Sequence, residues 1–210
     1  ACHRFGEVSR EGGDTEEAEF WFRRALAIDP LHPQANASLG FLLLEQHRDA
    51  EAFQSLKTAA GAHPPLPWVN ARLGMLLADQ ERWEESLAVY DTEIQFHPEN
   101  AHAWGLKGTA LFSLGRTAEA IAAFRQAAVM DPAQPLFQVE LGLALADDDQ
   151  YEEAIAAFEH AIAYAPYSVE AHSSLGLVYS RLERWEDAEA AYRRAVELGA
   201  DDAETHFSLG

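Results

Sequence analysis

The sequence predicts an all-α stack of antiparallel helix hairpins, and three observations lead there. Prolines recur at Pro30, Pro64, Pro98, Pro132 and Pro166, each 34 residues after the last. Glycines keep the same interval at Gly6, Gly40, Gly74, Gly108, Gly142, Gly176 and Gly210. Alanine is abundant and no β-branched run bounded by turn residues occurs, which favours helix throughout. A fixed interval of this kind marks a repeat architecture, in which each unit buries its apolar face only against its neighbours.

Within one repeat the elements follow in order. The glycine falls in a first helix, A, and a small residue opens the packing face of a second helix, B. That small residue is Ala18, Ala52, Ser86, Ala120, Ala154 or Ala188. Phe22, Leu56, Tyr90, Phe124, Phe158 and Tyr192 hold the next B-helix register. Gly108 and Ala120 lack bulk, so A and B approach closely, while Trp104, Leu111 and Phe124 fill the space around the contact. Each proline stops helix B, because its predecessor is biased away from helical geometry. Asn100, Ser168 and Asp202 follow where a side-chain oxygen can cap the next A helix. In the repeat 101–134 this predicts helices near 101–114 and 117–130. Acid pairs at Glu16-Glu17, Glu84-Glu85, Glu152-Glu153 and Glu186-Asp187 fall in the first turn of B, where they complement the helix dipole.

The pattern resembles the tetratricopeptide repeat over essentially the whole chain. In repeat four, Trp104, Gly108, Leu111, Ala120, Phe124, Ala127 and Pro132 stand at the family's positions 4, 8, 11, 20, 24, 27 and 32. The resemblance implies a right-handed superhelical solenoid. On this register a single array fills 1–210, with repeats 1–32, 33–66, 67–100, 101–134, 135–168 and 169–202 and a partial unit 203–210. The array reads as a segment of a longer chain. Three departures stand out: Glu93 at position 27, Lys107 at position 7, and Gly199-Ala200-Asp201-Asp202 in place of the proline turn. Glu93 and Lys107 are opposite in sign and lie in adjacent repeats, which predicts a partly buried ion pair bridging them.

Composition excludes several classes of partner. The formal charge of −20 argues against nucleic acid and against anionic membrane surfaces. No apolar stretch approaches the roughly 20 residues of a membrane span, and no charged-then-apolar leader pattern opens the chain. The one cysteine, Cys2, excludes a disulfide framework within a single copy. A soluble protein is expected. One thiol suits the cytosol, and a periplasmic location stays open.

Catalytic and metal-binding motifs are missing. His172 and His206 share position 4, and His63 and His97 share position 31, so their spacing reflects a repeated position rather than ligand geometry. The run Asp147-Asp148-Asp149 lacks the alternating ligands and turn glycine of a calcium loop. No nucleophile elbow, phosphate loop or dinucleotide fingerprint is present. The expectation is a binding protein without enzymatic activity, cofactor or metal.

The resemblance implies that helix A lines the concave groove through positions 2, 5, 6, 9, 12 and 13. Here that stripe reads Phe41, Leu44, Trp68, Arg72, Met75, Leu106, Thr109, Phe112, Leu136, Val139, Leu143 and Leu177. The family's carboxylate clamp needs Lys then Asn at positions 5 and 9, where this chain has Ala37/Phe41, Ala71/Met75 or Gly105/Thr109. Its asparagine ladder at position 6 is replaced by Arg4, Ser38, Arg72, Leu106, Glu140 and Ser174. What remains is an apolar stripe suited to a partner peptide or an amphipathic helix. Packing between neighbouring A helices is the competing account of the same residues. Trp104 at position 4, and Trp83 and Trp185 at position 17, have structural homes, whereas Trp68 at position 2 has none and follows Pro64-Pro65-Leu66-Pro67. Trp68 is therefore the sharpest candidate anchor. The leading function is a protein-interaction scaffold. The rivals are a positioning segment of a larger enzyme or export machine, and self-association between copies.

Overall fold

The computed structural model describes residues 1–199. The chain divides into two compact units, one spanning Ala1–Glu99 and one beginning at Asn100. The first holds α1 (Cys2–Glu11), α2 (Thr15–Ile28), α3 (Pro33–Glu45), α4 (Asp49–Ala59), α5 (Val69–Ala78) and α6 (Trp83–Phe96). The second holds α7 (Ala101–Ser113), α8 (Thr117–Met130), α9 (Pro135–Asp147), α10 (Tyr151–Tyr164), α11 (Val169–Arg181) and α12 (Trp185–Glu197). Among the described residues all regular structure is helical, and odd-numbered helices are the A helices of successive hairpins. Helices α7 and α8 lie within one residue of the expected bounds.

Close approach of A to B is enforced by the recurring glycine. A Cβ on Gly108 would lie 2.6 Å from the Phe124 ring, and one on Gly142 would lie 2.6 Å from Phe158. Both phenylalanines are buried, as are Phe22, Leu42 and Leu56 in the first unit. Every A-to-B turn places one residue at positive φ: Gly13, His47, Glu81, Gly115, Asp149 and Glu183. Caps follow the sequence where it supplies an acceptor. Asn100 accepts from the Ala103 N–H at 3.2 Å and Ser168 from that of Ala171 at 3.2 Å. Asp202 lies outside the described residues. His32, at the equivalent place before α3, accepts the Ala35 N–H through Nδ1.

The start of α5 departs from this scheme. Leu66 occupies the capping position and has no polar side-chain atom, and Trp68 serves as N-cap in the left-handed region with φ 66°. Glu93, fully buried near the C-terminal end of α6, accepts the Trp68 N–H at 2.9 Å. Position 27 elsewhere holds a small residue such as Ala59, Ala127 or Ala161, all fully buried. The charge at Glu93 therefore serves the helix start of its own repeat, at the positive end of the α5 dipole. Lys107 belongs to the second unit, where its ammonium lies 5.5 Å from the centre of the Trp104 ring.

One tryptophan differs from expectation. Trp185, the first residue of α12, is 64% exposed, whereas Trp83 at the same position of α6 is half-buried.

Candidate functional site

The A helices of the first unit border an open cavity of about 420 Å³, lined by Arg10, Phe41, Leu44, Glu45, Trp68 and Arg72. Arg10 comes from α1, Phe41, Leu44 and Glu45 from α3, and Trp68 and Arg72 from the start of α5. In the repeat register these are positions 12, then 9, 12 and 13, then 2 and 6. Every lining residue thus belongs to the stripe assigned to the inner face of helix A. Helical geometry explains the grouping. Positions 4, 8 and 11 turn toward helix B, so 2, 6, 9 and 13 share another stripe.

Phe41 and Leu44 are half-buried and pack against the core of their unit while still bordering the cavity. Trp68 is 47% exposed. Its side chain is set by the left-handed backbone at its own Cα and by the Glu93 carboxylate on its N–H. Arg72 is exposed, and its Nη1 lies 3.7 Å from the Met75 sulfur. Arg10 is half-buried and meets the Glu7 carboxylate at 3.3 Å. Arg10 and Glu45 are absent from the apolar stripe read from the sequence. The signal for both was their register, positions 12 and 13, rather than their chemistry.

The A helices of the second unit carry the rest of the expected stripe. Leu106, Thr109 and Phe112 lie on α7, Leu136 and Leu143 on α9, and Leu177 on α11, all at least partly accessible. Met75, on α5 of the first unit, is partly accessible too. Val139 is the exception at 3% exposure, which removes it from any contact surface. Position 5 is a packing position: Ala37, Ala71 and Gly105 are buried as well. Phe137 reinforces this, since its ring would lie 2.7 Å from a Cβ on Gly105. Glu140 at position 6 is half-buried, and burial followed by the nearby Glu170 charge raises its carboxyl pKa.

Among the described residues no group of three or more His, Cys, Asp and Glu side chains is placed to hold a metal ion. Among them, no helix is long and apolar enough to cross a membrane.

Stacked A–B hairpins on a constant register, with an accessible A-helix face, define a helical-repeat scaffold for protein–protein interaction. The chain belongs to the tetratricopeptide repeat family. A family model described as tetratricopeptide repeat matches residues 72–135 and 139–203, and a second of the same description matches 1–30. None of the curated proteins matches the sequence significantly.

Solved structures share the fold at low identity. YrrB, described as a TPR protein with an unusual peptide-binding site, aligns with TM-score 0.77 and 17% identity, covering 89% of this chain and 96% of its own. PilF of Pseudomonas aeruginosa aligns with TM-score 0.79 and 19% identity, covering 98% and 94%. MamA from Desulfovibrio magneticus RS-1 aligns with TM-score 0.73 and 23% identity, covering 81% and 97%.

Proposed function

We propose that the chain holds a peptide or amphipathic helix of another protein against its A-helix face, with no catalytic role. The observation that carries this reading is the cavity bordered by Phe41, Leu44 and Trp68 in the first unit. An exposed tryptophan beside half-buried apolar side chains supplies contact area at small entropic cost, which is how interface anchors work. The accessible residues Met75, Leu106, Thr109, Phe112, Leu136, Leu143 and Leu177 extend the same reading along their own units. YrrB, with its peptide-binding site, shows that this fold is compatible with such a use.

The test is a peptide display selection against the intact chain, run in parallel on Trp68→Ala and Phe41→Ala. Peptides recovered on the wild type should bind each variant at least about tenfold more weakly, the loss of an ordinary interface hot spot. Recovered peptides that bind all three proteins equally would place recognition elsewhere.

A further inference from the structure

We propose that the first-unit cavity selects a partner segment in which a bulky apolar side chain is accompanied by one nearby aspartate or glutamate, whose carboxylate lies against Arg72 and Arg10. This inference rests on the groove reading above and specifies its ligand.

The argument begins with charge accounting. The chain has 35 acidic residues against 15 Lys and Arg, so a surface arginine would ordinarily find a carboxylate. Many do: Arg23, Arg48, Arg82, Arg125, Arg184 and Arg193 all pair with Glu or Asp. Among the described residues Arg72 has no carboxylate within ion-pair distance; its guanidinium reaches only the Met75 sulfur. It nevertheless stands on the cavity wall, between the helix start that carries Trp68 and the body of α5.

Arg10 is the second cation on that wall. Its Nη2 meets Glu7 at 3.3 Å, longer than the 2.7–2.9 Å of most pairs in the chain. Its Nε is shielded from solvent and has no acceptor among the described residues. The Arg10 side chain is 38% exposed and its pair with Glu7 is long, so its outer guanidinium N–H groups remain available for a charge-assisted bond to a carboxylate oxygen. The planar fork of arginine suits that ligand better than any other protein group.

The remaining lining residues narrow the ligand. Phe41, Leu44 and Trp68 accept an apolar side chain, which places it beside the carboxylate rather than alone. Glu45 borders the same cavity, and the chain as a whole carries −20, so an acidic run would be repelled. One carboxylate is favoured and several are not. The cations are also local to this site: position 6 in the second unit holds Leu106, Glu140 and Ser174.

The experiment uses a display library of randomised segments flanked on both sides, so that every available carboxylate is a side chain. It is run on the wild type, Arg72→Gln, Arg10→Gln and the double variant Phe41→Ala/Trp68→Ala, with circular dichroism confirming that each is folded. The wild type should enrich peptides pairing a bulky apolar residue with one Asp or Glu within a few positions. Arg72→Gln should keep the apolar preference and lose the acidic one. For a recovered peptide, Arg72→Gln and the peptide's own Glu→Gln change should each weaken binding about tenfold, and together no more than either alone. Enrichment of apolar peptides with no acidic preference, with a basic one, or with an acidic preference that survives in Arg72→Gln would overturn this inference while leaving the groove reading intact. No enrichment over the double variant would overturn the groove reading itself.

Discussion

Gly142 shows how much of this fold turns on single atoms. A Cβ there would meet the Phe158 ring at 2.6 Å, inside contact distance and against a fully buried side chain with no room to yield. Gly142→Ala should therefore cost about 1–3 kcal/mol, the usual penalty of overpacking, despite the better helix propensity of alanine. Gly12→Ala is the matched control. It follows α1 in ordinary right-handed geometry, its Cβ would meet nothing closer than 3.4 Å, and thermal denaturation should find it neutral or slightly stabilising. Glu140 offers a different test. Burial, then the Glu170 charge, raises its carboxyl pKa in the folded protein. The folded state therefore binds the proton more tightly than the unfolded chain does. Stability from this group is fully present below the unfolded value of about 4.3 and is lost as pH rises through the folded one. Glu140→Gln should raise the melting temperature at neutral pH, and the gain should fade near pH ~4. A gain that persists unchanged in acid would mean that the charge at Glu140 is not its source.

At the scale of the element, the start of α5 is the least regular place in the first unit. Three devices replace the missing cap: a proline-rich turn, Trp68 in the left-handed region, and the Glu93 carboxylate on the Trp68 N–H. Glu93→Ala removes that acceptor from a buried site and should cost about 1–3 kcal/mol in urea unfolding, with Glu93→Gln closer to wild type because it keeps an oxygen there. Trp68→Gly relieves the positive φ and should be about 1 kcal/mol more stable than Trp68→Ala, while both lose peptide binding. A glycine variant no more stable than the alanine one would show that the backbone at Trp68 relaxes on substitution. This element also marks the limit of what the sequence discloses. Helix bounds in repeat four were legible to within a residue, because a 34-residue interval of small and large side chains is a packing requirement that tolerates no shift. Glu93 was legible as a departure and was read as half of an ion pair with Lys107. Its bond to the Trp68 N–H was not read, because Trp68 lies 25 residues earlier and that link exists in three dimensions and not in any local pattern. In the cavity, Phe41, Leu44, Trp68 and Arg72 were legible from register plus chemistry, whereas Arg10 and Glu45 were left out of the stripe although positions 12 and 13 belong to it. Val139 was misplaced for the opposite reason: its chemistry suited a contact surface, but position 5 is where neighbouring A helices pack.

Across the whole molecule the dominant long-range term is charge. Four arginines at the surface, Arg48 and Arg82 half-buried and Arg116 and Arg184 exposed, each stand just before a B helix and pair with an acid three residues on, at 2.7 Å. Such exposed pairs contribute little individually, and salt weakens them further. A denser network joins α2 to α4, where Glu19 and Glu51 each meet both Arg23 and Arg48. Burial works against the charged form of Glu19, but hydrogen bonds from Arg23 and Arg48 prevail and hold its pKa below the ordinary value. Against these attractions stands a formal charge of −20 spread over 210 residues, which repels itself in the compact state more than in the expanded chain. Salt screens both terms, so the sign of its effect decides which is larger. The repulsion is summed over many distant pairs, and those are the pairs that screening removes most completely once the Debye length falls to about 8 Å. The melting temperature should therefore rise when potassium chloride is increased from low concentration to ~0.15 M. Arg48→Gln should sharpen that rise, because it removes an attraction that salt would otherwise weaken. A melting temperature that falls with added salt, and falls less in Arg48→Gln, would show that the α2–α4 network outweighs the net charge.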